Sequence, residues 1–196
     1  RWIGVPLRRV AFAFGIALLT YALCCLLAAF FYDISFDGQT YHAQAILSMA
    51  GGWNPAYDTL PTHQPNTLWV QHYGKGYEYV AYGIYSVTGN LESGKGLNGV
   101  LVAAAGLVLH SAATPYLQSL RAWKRQVLLA LAVLNPIAVF TLFTFYVDGQ
   151  IASCLLVLLA SAEIFRRSAR TGGVLLFASL VILVQLKFTA LVYAVL

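Results

Sequence analysis

Apolar residues run along this chain in long, unalternated stretches. Five of them reach or approach the roughly 20 residues that a helix needs to cross a bilayer: 10–32, 97–117, 127–147, 151–165 and 174–196. The fourth is short, and the pattern allows it to extend back through Gly149. A sixth stretch, 77–88, is too short to span. It sets Tyr77, Val80, Ala81, Ile84 and Tyr85 on one helical face. Its tyrosines suit a helix lying in the membrane interface. Between the first two spans lies the polar segment 33–96, punctuated by Gly51-Gly52, Asn54-Pro55, Leu60-Pro61 and Gln64-Pro65-Asn66. Within it, Asp37-Gly38 opens a short helix expected over 39–49.

Composition turns this pattern into a class. Hydrophobic residues make up 60% of the chain and charged residues 10%, with a mean hydropathy of +0.72. A soluble domain has roughly 45–50% apolar and about 25% charged residues. This chain needs lipid as its solvent, where the backbone must close its own hydrogen bonds as helices or a closed barrel. Unalternated runs exclude the barrel. The expected fold is an all-α integral membrane bundle: one transmembrane domain over 1–196, about five spanning helices, and a long outer loop, 33–96, carrying short helices. The first run is longer than the ~7–15 residues of a signal-peptide core and no small-x-small site follows it, so it reads as a retained anchor. The chain starts at Arg1 and stops at Leu196 inside an apolar run, which we read as the N-terminal part of a longer protein. Cys24, Cys25 and Cys154 lie in apolar runs without CxxC spacing and act as small apolar side chains.

The charges give a topology. Arg1, Arg8 and Arg9 precede the first span; Arg121, Lys124 and Arg125 separate the second and third; Arg166, Arg167 and Arg170 separate the fourth and fifth. If 77–88 does not cross, all of these fall on one side, which the positive-inside rule makes cytoplasmic. Asp33, Asp37, Asp58, Glu78, Glu92 and Asp148 then fall outside, with Lys75 and Lys95. The net charge of +5 is therefore a topology signal, and no nucleic-acid partner is expected.

Candidate chemistry gathers on that outer side. Asp33 and Asp37 follow the first span; Asp37 fits either a general base facing a substrate or the N-cap of the 39–49 helix. In His72-Tyr73-Gly74-Lys75-Gly76-Tyr77-Glu78, a lysine between two glycines lets backbone approach a ligand and an ammonium meet a phosphate. The same residues also fit a plain glycine turn with a solvated lysine. Asp148 lies level with Asp33 and Asp37. Lys187 is about 14 residues into the last span, ~21 Å up, and either serves function or snorkels to the outer interface. His110 reads as a packing or hydrogen-bonding residue within its span. Gly89–Lys95 fits the phosphate-loop spacing GxxxxGK, but Gly96 stands where Ser or Thr would bind magnesium, and no buried strand precedes it. His63, His72 and Asp58 lack a diagnostic metal spacing.

The order of these pieces resembles the GT-C class of membrane glycosyltransferases, which includes oligosaccharyltransferase catalytic subunits, protein O-mannosyltransferases and bacterial lipid-linked sugar transferases. The matching segments are Asp37-Gly38-Gln39-Thr40-Tyr41-His42, His72-Tyr73-Gly74-Lys75-Gly76-Tyr77-Glu78, Tyr146-Val147-Asp148-Gly149 and Lys187-Phe188-Thr189. Many relatives carry Tyr-Pro-Lys-Gly where this chain has Tyr73-Gly74-Lys75-Gly76. The resemblance implies an inverting transferase of the bacterial inner membrane, N-terminus in the cytoplasm and active face outward. Its partners would be a polyprenyl-phosphate sugar donor, a lipid, glycan or protein acceptor, and membrane lipids. It implies Asp37 as the base, Asp33 as the second choice, Lys75 or Lys187 beside the leaving phosphate, and Asp148, His42 and His72 lining the substrate. No cofactor is certain; some of the class use a divalent cation and others do not. A transporter or flippase for a lipid-linked or small polar substrate, and a non-catalytic assembly subunit, remain open beside it.

Overall fold

The computed structural model describes residues 6–60 and 66–195; Arg1 and His63 lie outside them. The described chain is all-helical, without a strand. Its elements are α1 (Leu7–Ala28), a π-helical turn (Gly38–His42) running into α2 (Ala43–Ala50), α3 (Thr67–His72), α4 (Gly76–Thr88), a 3-10 turn (Leu91–Lys95) running into α5 (Gly96–Ala113), α6 (Ala122–Val133), α7 (Pro136–Thr141), α8 (Asp148–Arg167), α9 (Ala169–Leu186) and α10 (Phe188–Val195).

Four helices are long and apolar enough to cross a membrane: α1, the helix over Leu91–Tyr116 that contains α5, α8 and α9. Their large apolar side chains largely face outward: Phe12, Phe14 and Leu19 on α1, Leu107 on α5, Phe177 on α9. Water penalises such a surface and lipid does not.

Two of the expected five spans are interrupted. The 127–147 stretch is α6 and α7 separated at Asn135-Pro136. Pro136 has no N–H to give and biases Asn135 to an extended backbone (φ −64°, ψ 158°). The Asn135 side chain then accepts from the Ala138 N–H at 3.0 Å and starts α7 afresh. The 174–196 stretch breaks at Lys187, which is extended (φ −156°, ψ 149°) between α9 and α10. The other boundaries shift outward, since α8 already starts at Asp148 and α9 at Ala169. The α4 helix matches the expected 77–88 closely and stops at Gly89, whose left-handed backbone (φ +67°) suits glycine.

The bundle has two chemically distinct ends. At one, the Arg167 guanidinium donates to the Ala112 carbonyl at 2.8 Å and Tyr116 donates to Glu163. Arg8 and Arg9 share that end because α1 packs antiparallel to α5, Cys25 beside Gly96 and Ile16 and Thr20 beside Val102 and Gly106. Arg121, Lys124 and Arg125 join it through the turn after α5. At the other end, Lys95 donates to the Phe31 carbonyl and Asp33 accepts from the Phe145 N–H. The interrupted α6–α7 segment runs from one end to the other, with Gln126 beside His110 at 3.4 Å and the Thr141 carbonyl beside Asn98 at 2.7 Å.

Small residues let α1 and α5 meet. A Cβ at Gly96 would stand 2.6 Å from the Cys25 backbone nitrogen, whereas one at Gly83 would meet nothing within 4 Å. Gly96→Leu is therefore expected to destabilise the bundle by roughly 1–3 kcal/mol through overpacking. Gly83→Leu serves as the control. Thermal unfolding in detergent checks this: a lowered midpoint for Gly96→Leu alone supports the packing, and equal midpoints contradict it.

Candidate functional site

The acidic end is organised by Asp33, which follows α1 and is 2% exposed. Its Oδ1 accepts from the Ser35 N–H at 2.8 Å and its Oδ2 from the Phe145 N–H at 2.7 Å. Its own N–H donates to Glu92 Oε2 at 3.2 Å, and its carbonyl accepts from the Gln39 side chain at 2.7 Å. Gly38 makes room for this carboxylate, since a Cβ there would overlap it. Both oxygens are engaged inside the fold and the residue is buried, so Asp33 anchors the chain, a structural place beside the one expected of it as a second choice for the base.

Asp37 lies four residues on, in helical geometry (φ −63°, ψ −38°). It does not cap the helix. Ser35 does, accepting the Gly38 N–H on Oγ at 3.2 Å and the Gln39 N–H on its carbonyl at 3.1 Å. The following turn is π-helical, with the Ala43 N–H reaching the Gly38 carbonyl, a deformation common at functional sites. Within that turn the Tyr41 hydroxyl donates to Asp37 Oδ2 at 2.6 Å, while the half-buried carboxylate retains a second oxygen. Burial first, and then the bond to Asp37, push the Tyr41 phenol well above its ordinary pKa, so it remains a donor.

His42 takes a different place from the one expected. Its Nδ1 pairs with Glu78 Oε1 at 2.7 Å, both residues 1% exposed, and so it cannot line an accessible substrate site. The other Glu78 oxygen and the neighbouring Tyr77 hydroxyl are buried without a protein partner. His72 is exposed at the end of α3. Lys75 is half-buried and donates to the Tyr73 carbonyl at 2.6 Å; burial pulls its pKa below the ordinary lysine value, against the opposing charge of Glu78. The flanking glycines serve the fold: a Cβ at Gly74 would stand 2.5 Å from the Gln185 carbonyl, and one at Gly76 2.5 Å from the Gln185 Cβ. The Gly74-Lys75-Gly76 turn thus docks on the last turn of α9, directly before the break at Lys187.

At that break, Lys187 Nζ meets Asp148 Oδ1 at 3.2 Å. Asp148 opens α8, where the positive end of the helix dipole favours a carboxylate, and its side chain is 45% exposed. It stands on the rim of a mostly apolar cleft of about 990 Å³, walled by Ile34 and Ser35 on one side and by Phe140, Thr144 and Tyr146 on the other. The cleft therefore joins the segment leading to Asp37 with the Asp148–Lys187 pair. It combines an apolar trough, one carboxylate at its edge and a cation beside that carboxylate.

Several residues emerge only in three dimensions. Lys95, the lysine of the rejected phosphate-loop pattern, is fully buried, paired with Glu92 and 5.7 Å from the centre of the Phe145 ring. Asn98 donates to the Thr141 and Thr144 carbonyls at 2.7 and 2.8 Å and accepts from Gln150 at 2.6 Å. Its one available signal was a carboxamide inside an apolar run. Among the described residues no group of three or more His, Cys, Asp and Glu side chains converges, and Asp58 instead accepts from the Asn54 N–H at 3.0 Å.

Removing the two aspartates should separate their roles. Asp33→Ala strands the buried Phe145 N–H, at a cost of roughly 1–3 kcal/mol, whereas Asp37→Asn keeps an oxygen for Tyr41 and should unfold like the wild type. Denaturant titration in detergent checks this, and equal loss of stability in both variants would contradict it.

No family model matches this chain, and no curated protein sequence or solved structure matches it either.

Proposed function

We propose that this protein transfers a sugar from a polyprenyl-phosphate donor to an acceptor hydroxyl at the outer face of a bacterial inner membrane, with inversion at the anomeric carbon, in the manner of the GT-C class. The observation that carries this reading is the cleft. It stands at the acidic end of an otherwise apolar bundle, with Asp148 at its edge, Lys187 paired to Asp148, and Ile34 and Ser35, two residues before Asp37, in its wall. A lipid-linked donor cannot leave the interface, so acids and cations at that one depth are what the chemistry requires. In this reading α6–α7 is an interrupted fifth crossing, and the basic end lies in the cytoplasm.

The reaction follows from the groups available. The free oxygen of Asp37 takes the acceptor's hydroxyl proton as the acceptor oxygen bonds to the anomeric carbon. The bond from that carbon to the phosphate oxygen breaks, and polyprenyl phosphate leaves with the electron pair. Lys75 and Lys187 balance the charge that grows on the phosphate. Tyr41, held protonated, keeps Asp37 oriented. Asp33 positions the segment without touching the substrate.

One observation favours a second reading. Helices interrupted at Asn135-Pro136 and at Lys187 are a feature of transporters, in which broken helices bind the substrate. A flippase for a lipid-linked sugar would move the donor and cleave no bond.

The deciding assay follows labelled sugar from a polyprenyl-phosphate donor to membrane acceptors with the protein in lipid. Asp37→Asn should reduce transfer by about 10²–10⁴-fold, the usual worth of a general base. Equal transfer by wild type and variant removes Asp37 from the chemistry, and translocation without transfer favours the transporter. A second expectation concerns pH. Because burial lowers the Lys75 pKa, its charge is lost earlier on the alkaline side than that of a free lysine, near 10.4. The donor KM should therefore rise as pH climbs through the window just below that value, and Lys75→Arg should hold KM level there. Identical pH profiles would exclude Lys75 from donor binding.

A further inference from the structure

A second concavity lies on the surface away from the cleft, between the turn after α2 and the outer face of α4. It encloses about 480 Å³, within the roughly 300–1,000 Å³ that small-molecule sites occupy. Trp53, Asn54 and Tyr57 form one wall, and Tyr79 and Tyr82 the other. Tyr57 is 88% and Tyr79 45% exposed, an unusual density of aromatic surface beside so polar a turn. The wall is built in advance. The Trp53 indole N–H donates to the Asp58 carbonyl at 3.1 Å, the Asn54 N–H to Asp58 Oδ2 at 3.0 Å, and the Asn54 side-chain oxygen accepts the Ala56 N–H at 3.0 Å. Among the described residues these bonds leave the Asn54 amide N–H groups and the tyrosine hydroxyls without a protein partner, while the indole is locked.

We propose that this cleft binds a neutral saccharide, and that it is the subsite for the sugar end of a glycan acceptor. Rigid aromatic faces pack against the apolar C–H face of a sugar ring, and phenol hydroxyls and a primary amide exchange hydrogen bonds with its hydroxyls. Among the described residues no cationic side chain lines the cleft and Asp58 uses its carboxylate within its own turn, so charge complementarity disfavours anionic ligands, including phospholipid headgroups. The site also adjoins the proposed chemistry. Trp53 packs against the cluster that contains Tyr41, whose hydroxyl bonds to Asp37. As an acceptor subsite it rests on the glycosyl-transfer reading; saccharide binding by itself does not.

The test is saturation-transfer NMR with the protein in phosphatidylcholine nanodiscs, using neutral trisaccharides of gluco, manno, galacto, xylo and arabino configuration as probes. At least one should show saturation transfer to its ring protons. The signal should fall about fivefold or more in Tyr57→Ala and in Tyr79→Ala, the scale of losing one aromatic anchor. Both side chains are exposed, so these variants should fold. Absence of binding for every probe overturns the proposal, as does undiminished binding in both tyrosine variants. Quenching of Trp53 by brominated acyl chains, with Trp53 as the sole tryptophan, would place the cleft in the bilayer as a membrane anchor and also overturn it. Saccharide binding without transfer from any donor keeps this site and removes the transferase reading; transfer without saccharide binding does the reverse.

Discussion

A buried carboxylate in an apolar bundle is costly unless its oxygens are satisfied, and Asp33 meets that condition through a closed ring of contacts. Its N–H reaches Glu92, Glu92 pairs with Lys95, Lys95 lies over the Phe145 ring, and the Phe145 N–H returns to Asp33. The ring ties the end of α1 to the start of α5 and to the turn before α8. Ser35, which caps the next helix, is bonded to the same carboxylate. The direction in which the Asp37 helix leaves the membrane-crossing core is thus set by Asp33. Removing one member exposes the others to an uncompensated charge.

The same economy explains the interrupted helices. A break in a helix frees carbonyls that apolar surroundings cannot satisfy. Where the segment ends, after α7, the Thr141 and Thr144 carbonyls are likewise left over, and Asn98 of α5 takes both while Gln150 of α8 orients it. At the end of α9 the break delivers Lys187 to Asp148, and the Gly74-Lys75-Gly76 turn packs against the preceding Gln185. The breaks therefore concentrate polar groups at the acidic end, beside the cleft, and leave the opposite end to arginines that pair with Glu163.

The arrangement separates support from accessible chemistry within a short stretch of sequence. Asp33 and His42 are sealed, engaged with Phe145 and Glu78, whereas Asp37 between them is half-buried and keeps an oxygen free. A π-helical turn lies between Asp37 and His42. The aromatic layer of Tyr41, Tyr73 and Trp53 extends from that turn toward the outer loop.

Much of the architecture was legible before any coordinates. Hydropathy depends on what surrounds each residue along the chain, so the apolar helices, the short α4 and the segregation of the arginines from the outer acids could be read from runs of residues alone. The break at Asn135-Pro136 was not read from the sequence, where 127–147 stood as one span. Pairing is a different kind of information. Nothing local to Asp33 says that its second oxygen will be taken by a backbone N–H more than a hundred positions away, nor that His42 will meet Glu78, Lys95 will be buried, or two glycines will serve Gln185 and not a ligand. The chain's own pattern of apolar and charged residues determined its solvent, its helices and the separation of its basic end from its acidic end. Which carboxylates at that end are structural and which stay accessible was decided only when the helices packed, because burial and hydrogen-bond saturation are properties of contacts between segments and not of the residues themselves.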